Sequence, residues 1–293
     1  MFNPLWLPGK APENHPYWRK MKRGDTADTE FFLRRREAWC VGACGRFLKP
    51  GSGKKQVWLL RERSGLLSAL LLYSRRTLLP VFNGQSALPL FRFFRRHFCT
   101  LPIYAIQGLR EEVRLLEDSM AEMGLYPVDA IDYELMALDT GLPEESFRAG
   151  PRNLIFRRPG LMDMTALFEL QRAYEKEETI PQGSVFNPAA CRLNLQRILA
   201  EEQILTAEIN GRLAGKINTS ARSFTRCQIG GVYVHPDYRG LGIARRMTAE
   251  FLQPLIAGGW GISLFVKKKN AAARSVYRSL GFRFLADYRI SYY

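Results

Sequence analysis

Between Gly230 and Ala249 the chain reads GGVYVHPDYRGLGIARRMTA, and no other stretch restricts its folding so tightly. Val232, Tyr233 and Val234 predict an apolar strand that His235-Pro236-Asp237 stops. Arg239, Gly240, Leu241, Gly242, Ile243 and Ala244 then open a helix predicted over 239–256. Two glycines and an alanine in a first helical turn leave backbone N–H groups bare at the positive end of the helix dipole. Such a turn suits an anion. Larger side chains would prevent close approach, and Arg239, Arg245 and Arg246 add positive charge beside it.

A second segment follows one strand later, from Asn270 through Tyr277 to Gly281-Phe282. Asn270 is a good N-cap and Gly281 a good helix terminator. Tyr277 lies two turns along the same helix face as Asn270. Taken singly, these residues read as caps and a core tyrosine. Taken together, R-x-x-G-x-A after a V-x-V strand, then N-x-x-A-x-x-x-Y-x-x-x-G-F, resemble the GNAT superfamily of N-acetyltransferases. The likeness is close over 228–282 and extends to about 151–293 by element order.

The resemblance implies acetyl-CoA, or another short acyl-CoA, lying between the strand ending at Val234 and the strand Ile262–Val266, which splay apart in that family. It implies pantetheine bonding to the backbone of Val232 and Val234. It implies pyrophosphate on the amides of Arg239, Gly240, Leu241, Gly242, Ile243, Ala244 and Arg245. Asn270 would contact the cofactor, and Tyr277 would protonate the leaving thiolate. No metal is implied. His15, His97 and His235 are isolated, and no partner completes Cys40 and Cys44 as a metal site.

The general base is less legible. Where many family members carry a carboxylate on the central strand, this chain has Ile229, Gly230 and Gly231. Glu177 and Glu178 are the leading candidates, in the run Glu175-Lys176-Glu177-Glu178 before the loop 179–187. Glu208 and His235 are others, and so is a water chain. The run also reads as a solvated helix end.

Upstream, residues 57–138 repeat the element order of 204–292: three strands, helix, strand, helix, strand. The fold expected is α/β (α+β), with tandem GNAT-like domains, each a mixed, mostly antiparallel sheet flanked by helices. Residues 1–30 read as a weakly ordered arm, 31–150 as a degenerate GNAT-like domain, and 151–293 as the catalytic domain. One helix is expected over 31–48 and an amphipathic one over 109–125, its carboxylates outward. The first half lacks the cofactor motif: Asn83-Gly84-Gln85-Ser86 has one glycine and no preceding arginine. It is expected not to bind CoA and to shape the acceptor groove.

Charge is uneven. Residues 1–100 carry 19 Lys and Arg against 6 Asp and Glu, net +13, within a chain of net +15. Such a balance favours anionic partners. Leu88–Phe98 interleaves arginine with phenylalanine, as nucleic-acid or membrane-surface segments do and as core helices with a basic face also do. Lys267, Lys268 and Lys269 fit either a CoA 3′-phosphate or loop solubility. No segment approaches the ~20 apolar residues of a membrane span. Five scattered cysteines read as reduced thiols, hence a cytoplasmic setting. The expected activity is acyl transfer to a small-molecule, peptide or protein amine in a ternary complex. The alternative is a non-catalytic acyl-CoA-responsive regulatory or nucleic-acid-binding protein. The sequence sets neither acceptor nor oligomeric state.

Overall fold

A computed structural model describes residues 18–49, 55–84, 93, 96–98 and 101–293. Its first half holds strand β1 (Trp18–Lys20), helices α1 (Thr26–Arg35) and α2 (Val41–Leu48), and strands β2 (Gln56–Arg61), β3 (Leu67–Ser74), β4 (Thr77–Phe82) and β5 (Ala105–Leu109). Helix α3 (Arg110–Ala121) and strand β6 (Asp129–Leu138) complete it. The second half runs β7 (Leu154–Arg157), α4 (Met164–Tyr174), α5 (Pro188–Glu201), β8 (Ile204–Ile209), β9 (Arg212–Arg222) and β10 (Arg226–Val234). It continues with α6 (Ile243–Ala257), β11 (Gly261–Lys267), α7 (Ala271–Ser279) and β12 (Arg283–Tyr292). Among the described residues the strands and the second helix of the predicted repeat are present in both halves, and strand, helix, helix precedes them in each. Most of the helix expected over 88–98 lies outside the described residues.

The strands form one sheet in the order β1-β2-β3-β4-β5-β12-β6-β11-β10-β9-β8-β7. Reversing this order and exchanging the halves reproduces it, so a pseudo-twofold axis passes between β6 and β12. The two last strands are exchanged. β12 pairs with β5 of the first half, and β6 pairs with β11 of the second. At the axis β6 and β12 run antiparallel, with Tyr133 opposite Tyr288. Parallel pairing occurs at equivalent places, β4 with β5 and β10 with β11. The sheet is mixed and flanked by helices, a tandem arrangement of two GNAT-like halves. Leu70, Leu71 and Leu72 on β3 are all fully buried, as expected for a strand covered on both faces.

Three local expectations differ from the structure. Residues 18–30 are ordered, because Asp25 is buried among Arg19 (2.5 Å) and Arg61 (3.1 Å). The Arg19 hydrogen bonds foremost hold its carboxyl well below the usual range. The helix expected over 31–48 is two helices, broken where Glu37 reaches across to the second half. Glu37 accepts from Ser223 Oγ (2.5 Å), Thr225 N–H (2.6 Å), Thr225 Oγ1 (2.7 Å) and Arg226 N–H (3.0 Å), all at the β9–β10 turn. On α3, Val113, Leu116 and Met120 face the core as predicted, but Glu112 is also buried.

Candidate active site

Strands β10 and β11 pair only from Arg226 to Gln228 and then diverge. The divergence opens a cleft of about 420 Å³, lined by Val232, Val234, Arg239, Gly240, Gly242, Ile243, Ala244 and Arg245. Glu177, Glu178, Asn270 and Tyr277 also reach it. Thus residues chosen from separate sequence segments share one wall system. Leu241 is the exception, about half exposed and outside the lining.

The helix predicted from Arg239 begins at Ile243 instead. Gly240 and Gly242 take left-handed backbone (φ 78° and 77°), which other residues avoid and which cannot continue a helix. Gly242 becomes the N-cap, so the unpaired first-turn amides belong to Ile243, Ala244 and Arg245. A Cβ on Gly242 would meet the Gly150 backbone nitrogen at 3.0 Å. The connection between the halves therefore packs on this turn.

On β10 the register against β9 shifts between Gly230 and Tyr233. Gly231 sits in this bulge at φ 60°, where a Cβ would fall 2.0 Å from Asn218 Oδ1. The bulge leaves Val232 without a β9 partner in the register.

The base candidates separate by position. Beyond α4 the helix widens into a π turn over Glu175–Thr179. Glu177 is paired with Arg239 at 2.8 Å, which holds its carboxyl low. Glu178 accepts from Asn270 Nδ2 (3.0 Å) and lies 3.3 Å from Lys267 Nζ. Glu208 is bound to Arg157 at 2.6 Å and His235 sits beside Asp237; neither lines the cleft. Asn270 is committed within the protein, since its Oδ1 also caps Ala273 N–H (3.0 Å). Lys267 is buried and donates to Glu177 O (3.2 Å), and Lys268 pairs with Asp287 (2.6 Å).

Behind Glu178 lies a second cavity of about 260 Å³, whose walls include Tyr133, Tyr174, Phe265 and Tyr292. Glu178, Val232, Asn270 and Tyr277 belong to both spaces. Tyr277 is buried, which raises its hydroxyl pKa. Tyr133 comes from β6, the strand supplied by the first half. Beneath the bulge Lys216 is fully buried, donates to Gly231 O (3.0 Å) and lies 4.6 Å from the Tyr174 ring centre. Burial lowers its pKa to about 7. Sequence reasoning missed Lys216, although a lysine between Gly215 and Ile217 in an apolar strand was a usable signal. For Tyr133 no signal existed, because strand exchange leaves no mark on the sequence.

The first half has a corresponding cleft of about 350 Å³, where Phe82, Leu109, Glu112 and Leu115 meet. Glu112 lies three residues past the N-cap Leu109, as Ala273 lies three past Asn270. Its carboxylate accepts the Phe82 N–H at 2.9 Å and sits 3.3 Å from Arg36. A protein side chain thus occupies the end of β4, and burial raises its pKa to about 7.

Residues 165–282 match the acetyltransferase (GNAT) family. A Drosophila protein of known structure superposes at TM-score 0.65 and 12% identity, over 95% of this chain and 99% of its own. A GCN5-related N-acetyltransferase from Sphaerobacter thermophilus gives TM-score 0.57 and 19% identity, over 94% of each chain. A putative GNAT-family acetyltransferase from Novosphingobium aromaticivorans matches at 22% identity and TM-score 0.44. That match covers 56% of this chain and 65% of the other, so this chain spans slightly less than two thirds of that relative. No curated protein matches the chain. Among the described residues no helix is long and apolar enough to cross a membrane.

Proposed function

We propose that this chain, whose C-terminal half is a GNAT acetyltransferase domain, transfers an acetyl group from acetyl-CoA, or another short acyl group, directly to a primary amine. One observation carries the reading: Tyr277 and Glu178 line both the β10–β11 cleft and the second cavity. A donor in the first space and an acceptor in the second would meet there.

The cleft fits the cofactor. The α6 amides at Ile243, Ala244 and Arg245 suit a pyrophosphate, Ala244 is small enough to let it approach, and the bulge leaves Val232 available to an extended amide chain. When bound, acyl-CoA supplies the electrophilic thioester carbon. Glu178 takes the amine proton as the C–N bond forms. Tyr277 gives its hydroxyl proton to the departing sulfur as the C–S bond breaks, and the proton held by Glu178 restores it through solvent. The backbone amide at Val232 polarises the carbonyl. Glu177, tied to Arg239, positions the turn. The first half, where Glu112 takes the N–H at the end of β4, contributes Tyr133 to the acceptor wall and lacks the cofactor turn.

Thermal unfolding with CoA tests the reading. At 100-fold excess over the dissociation constant the shift should correspond to about 2.7 kcal/mol. A panel of amines with acetyl-CoA should release free thiol. No stabilisation by CoA overturns the reading. Stabilisation without thiol release indicates a binding protein instead.

A further inference from the structure

Between the halves lies a third cavity, of about 370 Å³. Arg46, Lys49, Arg75, Arg197 and Arg222 line it against a single carboxylate, Glu202. That carboxylate is already engaged, with Arg197 at 3.2 Å and Thr219 Oγ1 at 2.7 Å. Lys49 pairs with Glu201 at 3.2 Å. Among the described residues Arg46, Arg75 and Arg222 have no carboxylate within ion-pair distance, although Arg75 lies close enough to Glu201 to help lower its pKa, and Arg46 donates to the Ser74 carbonyl at 3.0 Å. Burial foremost, then the charges of Arg75 and Arg197, bring the Arg46 pKa down to about 10. Gathering like charges at a half-buried place is costly without a counter-charge.

The backbone bears a second mark of the same arrangement. Arg75 and Arg76 form the two-residue turn between β3 and β4, and both are left-handed (φ 51° and 60°). Asn-Gly is the favoured sequence there, and arginine is disfavoured at both places. Strain of this kind persists at functional sites. Here it places a guanidinium at the mouth of the cavity.

The basic cavity adjoins the acceptor cavity. Phe265 belongs to the walls of both. Its ring stacks on Tyr288 (5.0 Å, 6°), which faces the basic cavity, and meets Tyr133 edge-on (5.3 Å), which faces the acceptor cavity. One aromatic ring therefore lies between the second cavity and the cavity that holds Arg46, Arg75 and Arg222.

We propose that the basic cavity receives an anionic group, a carboxylate or a phosphate, carried by the amine acceptor that enters beside Tyr277. The proposal rests on the acyltransferase reading. It names the acceptor class as an amine bearing a remote anionic group, with an apolar or aromatic portion passing Phe265. It also gives a use to part of the positive charge of the first hundred residues: Arg46, Lys49 and Arg75 all come from there.

Two measurements test it, using the full chain. In the first, inorganic phosphate is titrated while thermal unfolding is followed. Wild type should be stabilised, and the Arg46→Gln and Arg75→Ala variants should lose that gain; Arg75 is exposed, so its removal spares the fold. Equal stabilisation of wild type and variants, or none in wild type, overturns the site. In the second, chain-matched amines ending in carboxylate, phosphate or hydroxyl are compared as acceptors. For the anionic acceptors each variant should lower kcat/KM about tenfold to a hundredfold, the worth of one hydrogen bond to a charged group. The hydroxyl series should stay unchanged. If anionic and neutral amines react alike in wild type, the acceptor assignment fails even where phosphate binds. If no amine reacts but phosphate still stabilises through Arg46, the acyltransferase reading fails and the anion site stands.

Discussion

Asn270 donates its side-chain N–H to Glu178 at 3.0 Å while its oxygen caps α7. One side chain thus fixes both the helix that carries Tyr277 and the carboxylate opposite it. Glu178→Gln keeps the shape and removes the proton acceptor, so kcat should fall about 10²- to 10⁴-fold with CoA affinity retained. Asn270→Ala should lower kcat as well, and should also cost about 1 kcal/mol of stability through the lost cap. Steady-state rates beside calorimetric unfolding separate the two effects. Undiminished turnover in Glu178→Gln would remove it as the base.

Tyr277→Phe should lower kcat more than it weakens CoA binding, because the hydroxyl acts only as the sulfur departs. Equal losses in rate and in cofactor affinity, measured by turnover and calorimetric titration, would end its role as the acid.

Lys216 ties stability to pH. Burial brings its pKa from the ordinary lysine value of 10.5 to about 7 in the folded chain. Between those values the unfolded chain holds a proton that the folded chain has given up. Stability contributed by this group therefore rises with pH from about 7 to about 10.5. Lys216→Met should flatten that rise, read from melting temperatures across pH 6.5 to 9.5. An unchanged profile would mean that Lys216 stays charged in the folded state.

Glu112 acts in the opposite sense. Burial raises its pKa to about 7 from the ordinary glutamate value of 4.5, so the folded chain keeps a proton that the unfolded chain loses in that window. Its stabilising contribution is complete below about pH 4.5 and declines as pH rises towards 7. Glu112→Gln should remove this decline and melt higher than wild type at pH 7.5. A variant that melts lower there would show the Arg36 and Phe82 contacts outweighing the cost of burying the charge.

Glu37 joins the two halves. Glu37→Ala leaves the donors of the β9–β10 turn unpaired in a partly buried place, where one lost partner costs about 1–3 kcal/mol. The melting temperature should fall while the spectroscopic signature of the folded state is kept. A neutral effect would mean that solvent replaces the carboxylate.

Legibility in the sequence followed the range of the interactions. The strand, Gly240, Gly242, Asn270 and Tyr277 were readable because each is set by its own turn or cap. The pairing of Glu178 with Asn270 and the burial of Lys216 needed the tertiary fold. So did the inward turn of Glu112, because the helical period alone places carboxylates in solvent. The break between α1 and α2 was hidden for the same reason, since its cause is a hydrogen-bond acceptor reaching residues 223–226.

The exchange of β6 and β12 makes the sheet of each half depend on a strand of the other. Substitutions around the first half's own cleft, where Glu112 and Gly84 lie, are free of that constraint. Substitutions in β6 are not, because the second half has no strand of its own to put beside β11. A fragment holding only 151–293 would have an open sheet edge beside β11 and a second cavity missing one wall. The first half is thereby part of the second half's sheet and of the wall of its second cavity, so neither half can be separated without remaking the other.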